Sequence, residues 1–271
     1  MSSVVLHSVV VSVFPLDWDA VRSTCERTSV RVAGLIRSAS DPGAKVPGLD
    51  WTVADVAAHL VSLTHRYEAF LRGNGEAMTT SMPDLNAEQL AAFAGRDLSE
   101  LADLLERGTA SLLALCPSGD APARFFDSDS DCASTIALRV EELLVHGLDL
   151  ARAAGVPWPI TADEALIAIA GIAMILPNFV DREAARGFRA TYELRLRRGP
   201  TLGIAFADGA ATVTHGAVQR ADCRISAEPV AYLLTALGRR SQWRSALTGK
   251  VLAFGRKPWL AFRFEKLIVS A

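Results

Sequence analysis

The stretch Arg139-Val140-Glu141-Glu142-Leu143-Leu144-Val145-His146-Gly147-Leu148-Asp149-Leu150 decides how this chain is read. Its apolar spacing predicts a helix, and that helix carries Glu142 and His146 at i, i+4. At 3.6 residues per turn the two side chains share one face, rotated by ~40° and ~6 Å apart along the axis. Arg139 and Asp149 extend the same stripe in steps of three. The rest of the helix is largely Leu, Val, Ile and Ala, so little of it can face water, although Glu141 and Arg152 mark one side as solvated. Charged groups on such a helix need partners, and a metal ion is an efficient one. A plain Glu–His hydrogen bond satisfies the same pair, so a metal reading requires a third ligand from elsewhere.

The search for that ligand leads to the N-terminal half. From Asp17 to about Ser38 the apolar residues Trp18, Val21, Cys25, Val32, Leu35 and Ile36 follow a helical period, ended by Ser40-Asp41-Pro42-Gly43. Trp51-Thr52-Val53-Ala54-Asp55 opens a second helix, with Thr52 and Asp55 spaced for a capping box. His59 lies at the margin of its buried stripe. A lone histidine there is ordinarily a half-buried imidazole, yet it is the best third ligand available. His65 falls on the far side of that helix, while His7 and His215 sit in strand-like segments. Gly73-Asn74-Gly75 closes the second helix, and a third is expected from about Asn86 to Leu115. An Asp/Ser-rich loop from Asp127 to Asp131 then leads into the Glu142–His146 helix. Four helices with such connections predict a four-helix bundle, whose interior commonly holds metal sites.

Composition narrows the function classes. The chain has 271 residues, half of them hydrophobic, and a formal net charge of −2. No basic stripe runs along the chain, which argues against nucleic acid as a partner. Cys25, Cys116, Cys132 and Cys223 are scattered without a C-x-x-C pair, which argues against a disulfide framework or a thiolate zinc site and suits a reducing cytoplasm. The apolar run Val4 to Phe14 lacks the features of a secretory signal and is too short to span a bilayer, so it is expected to be an extra strand or a tail. No other stretch predicts a membrane span. Arginine far outnumbers lysine, and alanine is abundant, which suggests a GC-rich genome.

Beyond Pro157-Trp158-Pro159 the pattern changes. Thr161-Ala162-Asp163-Glu164 caps an apolar helix that Pro177 interrupts, and Thr161 to about Arg189 is expected to bridge two domains. Short β-rich segments follow at Thr191 to Arg197, Leu202 to Ala207, Ala211 to His215 and Val218 to Ala227. Helices are expected at Glu228 to Leu237, Ser241 to Leu247 and Pro258 to Ile268, with a strand at Val251 to Phe254. The fold class is therefore α plus α+β. The expected boundaries are 16–160 for a helix bundle, 161–190 for a helical connection and 191–271 for a small α+β domain.

Two segments also carry a family resemblance. Trp51-Thr52-Val53-Ala54-Asp55-Val56-Ala57-Ala58-His59-Leu60, with Glu142-Leu143-Leu144-Val145-His146-Gly147-Leu148-Asp149-Leu150-Ala151 downstream, resembles the metal-binding domain of the mycothiol-dependent maleylpyruvate isomerase family. That domain belongs to the DinB-like four-helix bundles. Ala221-Asp222-Cys223-Arg224-Ile225-Ser226 and Gly249-Lys250-Val251-Leu252-Ala253-Phe254-Gly255 resemble the sterol-carrier-like domain that follows the bundle in this family.

The resemblance implies that His59, Glu142 and His146 coordinate one divalent metal, typically zinc, with further positions left open. Two imidazoles and one carboxylate suit zinc independently, and three protein ligands are the catalytic rather than the structural pattern. It also implies mycothiol, the low-molecular-weight thiol of actinobacteria, as cosubstrate. For an isomerase, thiolate adds to a cis double bond, rotation follows, and elimination gives the trans product; in related transferases the thiol stays on the electrophile. The family isomerase holds its dicarboxylate with an arginine of the C-terminal domain, for which Arg224, Arg239, Arg240, Arg244 and Arg256 are equivalent in sequence. Arg139 and Asp149 either orient a ligand or bind an acidic group, or else form surface or interdomain ion pairs. The rival expectation is a non-catalytic metal-containing protein whose C-terminal domain carries an apolar ligand. The sequence carries no signal of oligomeric state or of a particular substrate.

Overall fold

Asp17 accepts hydrogen bonds from the amides of Asp19 and Ala20 and starts α1 (Trp18–Ser38). The structure is a computed structural model and describes residues 14–77 and 80–269. Phe14 aside, the apolar N-terminal run lies outside the described residues, as does His7. The predicted capping box forms at the start of α2 (Val53–Leu71): Asp55 N donates to Thr52 Oγ1 at 3.2 Å, and Thr52 N donates to Asp55 Oδ2 at 3.0 Å. Such a cap satisfies two amides that a helix start leaves unpaired.

The single third helix expected over Asn86 to Leu115 is two helices, α3 (Met82–Ala92) and α4 (Leu98–Ala114). Capping chemistry makes the break. The Arg96 guanidinium donates to the carbonyls of Leu90, Phe93 and Gly95, closing α3. Asp97 then caps α4 by accepting from Glu100 N at 2.8 Å. The Asp127–Asp131 stretch, expected as a loop, belongs to a hairpin of β1 (Pro122–Phe125) and β2 (Ser128–Asp131). Phe125 and Phe126 pack on Phe70 of α2, with ring centroids 4.8 and 5.0 Å away.

Asp131 caps α5 (Cys132–Ala154), which is buried around most of its circumference. Helices α1, α4, α2 and α5 pack in that cyclic order as a four-helix bundle. The next helix, α6 (Ala162–Ile175), lies against the outer side of α5. Their approach is close: a Cβ on Gly171 would sit 2.4 Å from Leu138 N. A 3-10 turn at Leu176–Phe179, with Pro177 near its start, follows α6.

The C-terminal part is a five-stranded mixed sheet in the order β5-β4-β3-β6-β7. Its strands are β3 (Ala190–Leu196), β4 (Thr201–Ala207), β5 (Ala210–His215), β6 (Cys223–Ala227) and β7 (Val251–Phe254). Only β3 and β6 run parallel, with Glu193 opposite Arg224. The strand expected from Val218 is confined to Cys223 onward. Helices α7 (Pro229–Ala236) and α8 (Gln242–Leu247) lie between β6 and β7. The expected final helix from Pro258 is instead a series of short turns around α9 (Ala261–Phe264). Buried side chains of the bundle and of the sheet belong to one contiguous hydrophobic core. The architecture is thus helical, then mixed α and β.

Candidate metal centre

Helices α2 and α5 pack against each other so that His59, Glu142 and His146 meet. His59 Nε2 lies 3.8 Å from Glu142 Oε2, and His146 Nε2 lies 3.5 Å from the same oxygen. One ligand atom from each of the three residues falls within 4.8 Å of the other two. A tetrahedral ion with bonds of about 2.1 Å places its donor atoms about 3.4 Å apart, close to the 3.5 and 3.8 Å by which the two imidazoles approach Glu142. His59 is 1% exposed, whereas the Glu142 side chain is 24% exposed, so the cluster opens on the carboxylate side.

The neighbours fix the imidazoles. Asp149 Oδ2 faces His146 Nδ1 at 3.2 Å, which favours a proton on Nδ1 and turns Nε2 toward Glu142. Trp51, on the residue before the α2 cap, packs its ring 4.8 Å from His59 and 6.1 Å from His146. Gly147 makes room for Trp158, since a Cβ there would stand 2.3 Å from the indole ring. Trp158 Nε1 donates to Leu144 O at 2.9 Å.

Electrostatics separate the two histidines. Burial disfavours the imidazolium at His59 and lowers its pKa, with Glu142 only partly opposing. Burial acts the same way on His146, but the hydrogen bonds it donates to the Asp149 and Glu142 carboxylates outweigh it and push that group up to about 9. Glu142 is held well below the usual carboxylate range: the hydrogen bonds and charges of both histidines overcome its desolvation. Glu141 is buried, not solvated as expected, and burial followed by the adjacent Glu142 charge raises it to about 8.

Of the five C-terminal arginines, the structure brings Arg239 to this site. Its Nη2 and Nε donate to the two oxygens of Asp149 at 2.8 and 3.2 Å. Arg224 instead lies beside Glu193, and Arg240 binds Ser245 and Thr248. Arg139 points into the bundle, fully buried, and donates to Leu60 O at 2.7 Å. His65 is exposed and His215 is on β5, both apart from the cluster. Sequence reasoning gave Trp51 no role; the only signal was an aromatic directly before the capping box.

Residues 22–151 match the family model described as mycothiol maleylpyruvate isomerase N-terminal domain. The matched span contains all three clustered residues. Among solved structures, the chain is similar to the crystal structure of the mycothiol-dependent maleylpyruvate isomerase, at 16% identity and a TM-score of 0.53, covering 88% of this chain and 93% of that one. It is likewise similar to a histidine-to-alanine mutant of that enzyme, at 17% identity and a TM-score of 0.50 with the same coverage. At these identities the likeness is one of fold. No curated protein matches significantly.

Proposed function

We propose that this chain, whose residues 22–151 match the mycothiol maleylpyruvate isomerase N-terminal domain model, is a metal-dependent enzyme using mycothiol. Its reaction is isomerisation of, or S-transfer to, a small electrophile. His59, Glu142 and His146 hold one divalent ion, and the imidazole–carboxylate set suits zinc. The observation that carries this reading is the approach of both Nε2 atoms to one Glu142 oxygen from two helices. A bound ion would hold a thiol deprotonated near neutral pH.

The protein's own groups do the positioning. Asp149 keeps the His146 proton on Nδ1, Arg239 clamps Asp149, and Trp51 walls the histidines. For isomerisation the thiol adds to a carbon–carbon double bond, the new single bond rotates, and elimination returns the thiol. For transfer it remains on the electrophile.

On this reading residues 16–160 form the DinB-like metal-binding bundle, 161–190 the connection and 191–271 the sterol-carrier-like α+β part. The location of the sheet strands after Arg189 supports the last boundary. All four cysteines are free and buried, which supports the cytoplasm as compartment.

Metal analysis of the purified chain, combined with calorimetric titration of mycothiol, tests the proposal. The expected result is about one zinc per chain and mycothiol binding that disappears on chelation. A chain that neither contains nor accepts a divalent ion would overturn it.

A further inference from the structure

The largest exposed apolar side chains gather at one end of the sheet. Trp243 and Leu247 on α8 are 66% and 86% exposed, and Trp259 after β7 is 63% exposed. Leu252 and Phe254 of the edge strand β7, and Phe262 of α9, are also exposed. These elements are contiguous: α8 packs beside β7, β7 beside the turn holding Trp259, and Trp243 stacks on Phe262 at 5.1 Å. Six such side chains present on the order of 700 Å² of apolar surface, more than a soluble monomer ordinarily exposes in one patch.

Charge identifies what covers it. Residues 239–269 contain eight Lys/Arg and one acidic residue, whereas the whole chain is net −2. Arg239, Lys250 and Lys257 pair with Asp149, Glu228 and Asp222. Arg240, Arg244, Arg256 and Lys266 meet no carboxylate at ion-pair distance among the described residues. The whole-chain charge therefore conceals a basic end. Exposed tryptophans, aliphatic side chains and unpaired Arg/Lys on one surface are the chemistry of the membrane–water interface. A second copy would set two basic faces against each other. A nucleic acid would give Leu247 and Leu252 nothing to bury against.

The geometry points to the α8–β7–α9 end as a docking surface for an anionic lipid bilayer, on which the protein lies without spanning it. Each basic residue near such a surface strengthens binding about fivefold, and the tryptophans and leucines sink to the headgroup level.

Co-sedimentation of the full chain with vesicles tests this, using phosphatidylcholine alone and phosphatidylcholine mixed equally with phosphatidylglycerol. Binding is expected to the mixed vesicles only, with a blue shift of tryptophan emission, and to weaken as salt is raised from about 0.1 to 1 M. Trp243→Ser with Leu247→Ser should weaken it at least tenfold, and Arg244→Gln with Arg256→Gln about 25-fold. These side chains are exposed, and unchanged thermal melting would show that the variants fold. No binding to either vesicle, or equal binding to both, would overturn the proposal. So would tighter, equally variant-sensitive binding of a single-stranded oligonucleotide, or self-association abolished by the Trp243→Ser pair.

Discussion

His59 and His146 reach the same carboxylate oxygen from different helices, so each should matter alone. His59→Ala and His146→Ala are expected to reduce metal occupancy to a similar degree, measured by mass spectrometry on protein purified identically. Full occupancy in His59→Ala would remove His59 from the ligand set. Arg139 tests a different property. Its guanidinium is completely buried, with Nε and Nη1 unpartnered and the Tyr67 ring 5.7 Å away. A buried charge without a counter-ion costs more than it returns, so Arg139→Met should leave stability unchanged or raise it by up to about 4 kcal/mol in urea denaturation. A clear loss would reveal an undetected anionic partner. The residues of the site were only partly legible in sequence. The i, i+4 spacing marked Glu142 and His146, but five equivalent arginines could not be ranked until the turn after α7 delivered Arg239 to Asp149.

Elements were legible where apolar period and caps agreed, as for α1 and α2 with their Asp17 and Thr52/Asp55 caps. They were misread where a cap interrupts a continuing apolar pattern. Leu90, Phe93 and Leu101 keep a helical period across a break set by Arg96 and Asp97, and a period cannot register a side chain that takes up backbone carbonyls. The α5–α6 contact was also hidden, because a glycine within a helix reads only as a weak position. Alanine exceeds glycine in helix propensity by about 1 kcal/mol, so an unconstrained Gly171→Ala would stabilise. With Leu138 N and Cα at 2.4 and 2.6 Å from the added carbon, a net loss of about 1–3 kcal/mol is expected instead. A stabilised variant would contradict the close packing of the two helices. Asp222 organises the sheet: Oδ2 accepts from Thr191 N at 3.1 Å and Oδ1 faces Lys257 Nζ at 3.0 Å. Lys257 first, then the Thr191 amide, lower its pKa below 3.8. A depressed carboxylate contributes stability above its unfolded value and loses it as pH falls through the folded one. Asp222→Asn should therefore cost about 1 kcal/mol at neutral pH, discounted for the exposed lysine. The gap to wild type should close below pH 3.8. Melting curves across that range would refute this if the gap were constant.

At the scale of the molecule, the helical and sheet parts share one core, and the side-chain link from the sheet part to the histidine cluster passes through the Asp149 carboxylate. Asp149 is 1% exposed, accepts from Arg239 with both oxygens and faces His146 with one of them. Arg152 adds a hydrogen bond to Arg239 O at 2.8 Å, so the turn after α7 is held at the end of α5 on two sides. Removing Arg239 leaves a buried anion whose remaining side-chain partner among the described residues is His146, whereas removing both charges leaves neither group stranded. Arg239→Met is thus expected to destabilise by about 2–4 kcal/mol, and the Asp149→Asn, Arg239→Met double variant by less than the sum of the singles. A coupling energy of about 1–3 kcal/mol in a denaturant double-mutant cycle is the predicted result. The same substitution should loosen metal binding, because Asp149 without its clamp no longer fixes the His146 tautomer. Such a ligand-orienting contact typically accounts for about 10- to 100-fold in affinity. Strong coupling with unchanged metal affinity would make the Arg239–Asp149 pair purely an attachment of the sheet. Coupling together with weakened metal would make the C-terminal part a component of the site, which no fragment ending with the bundle could reproduce.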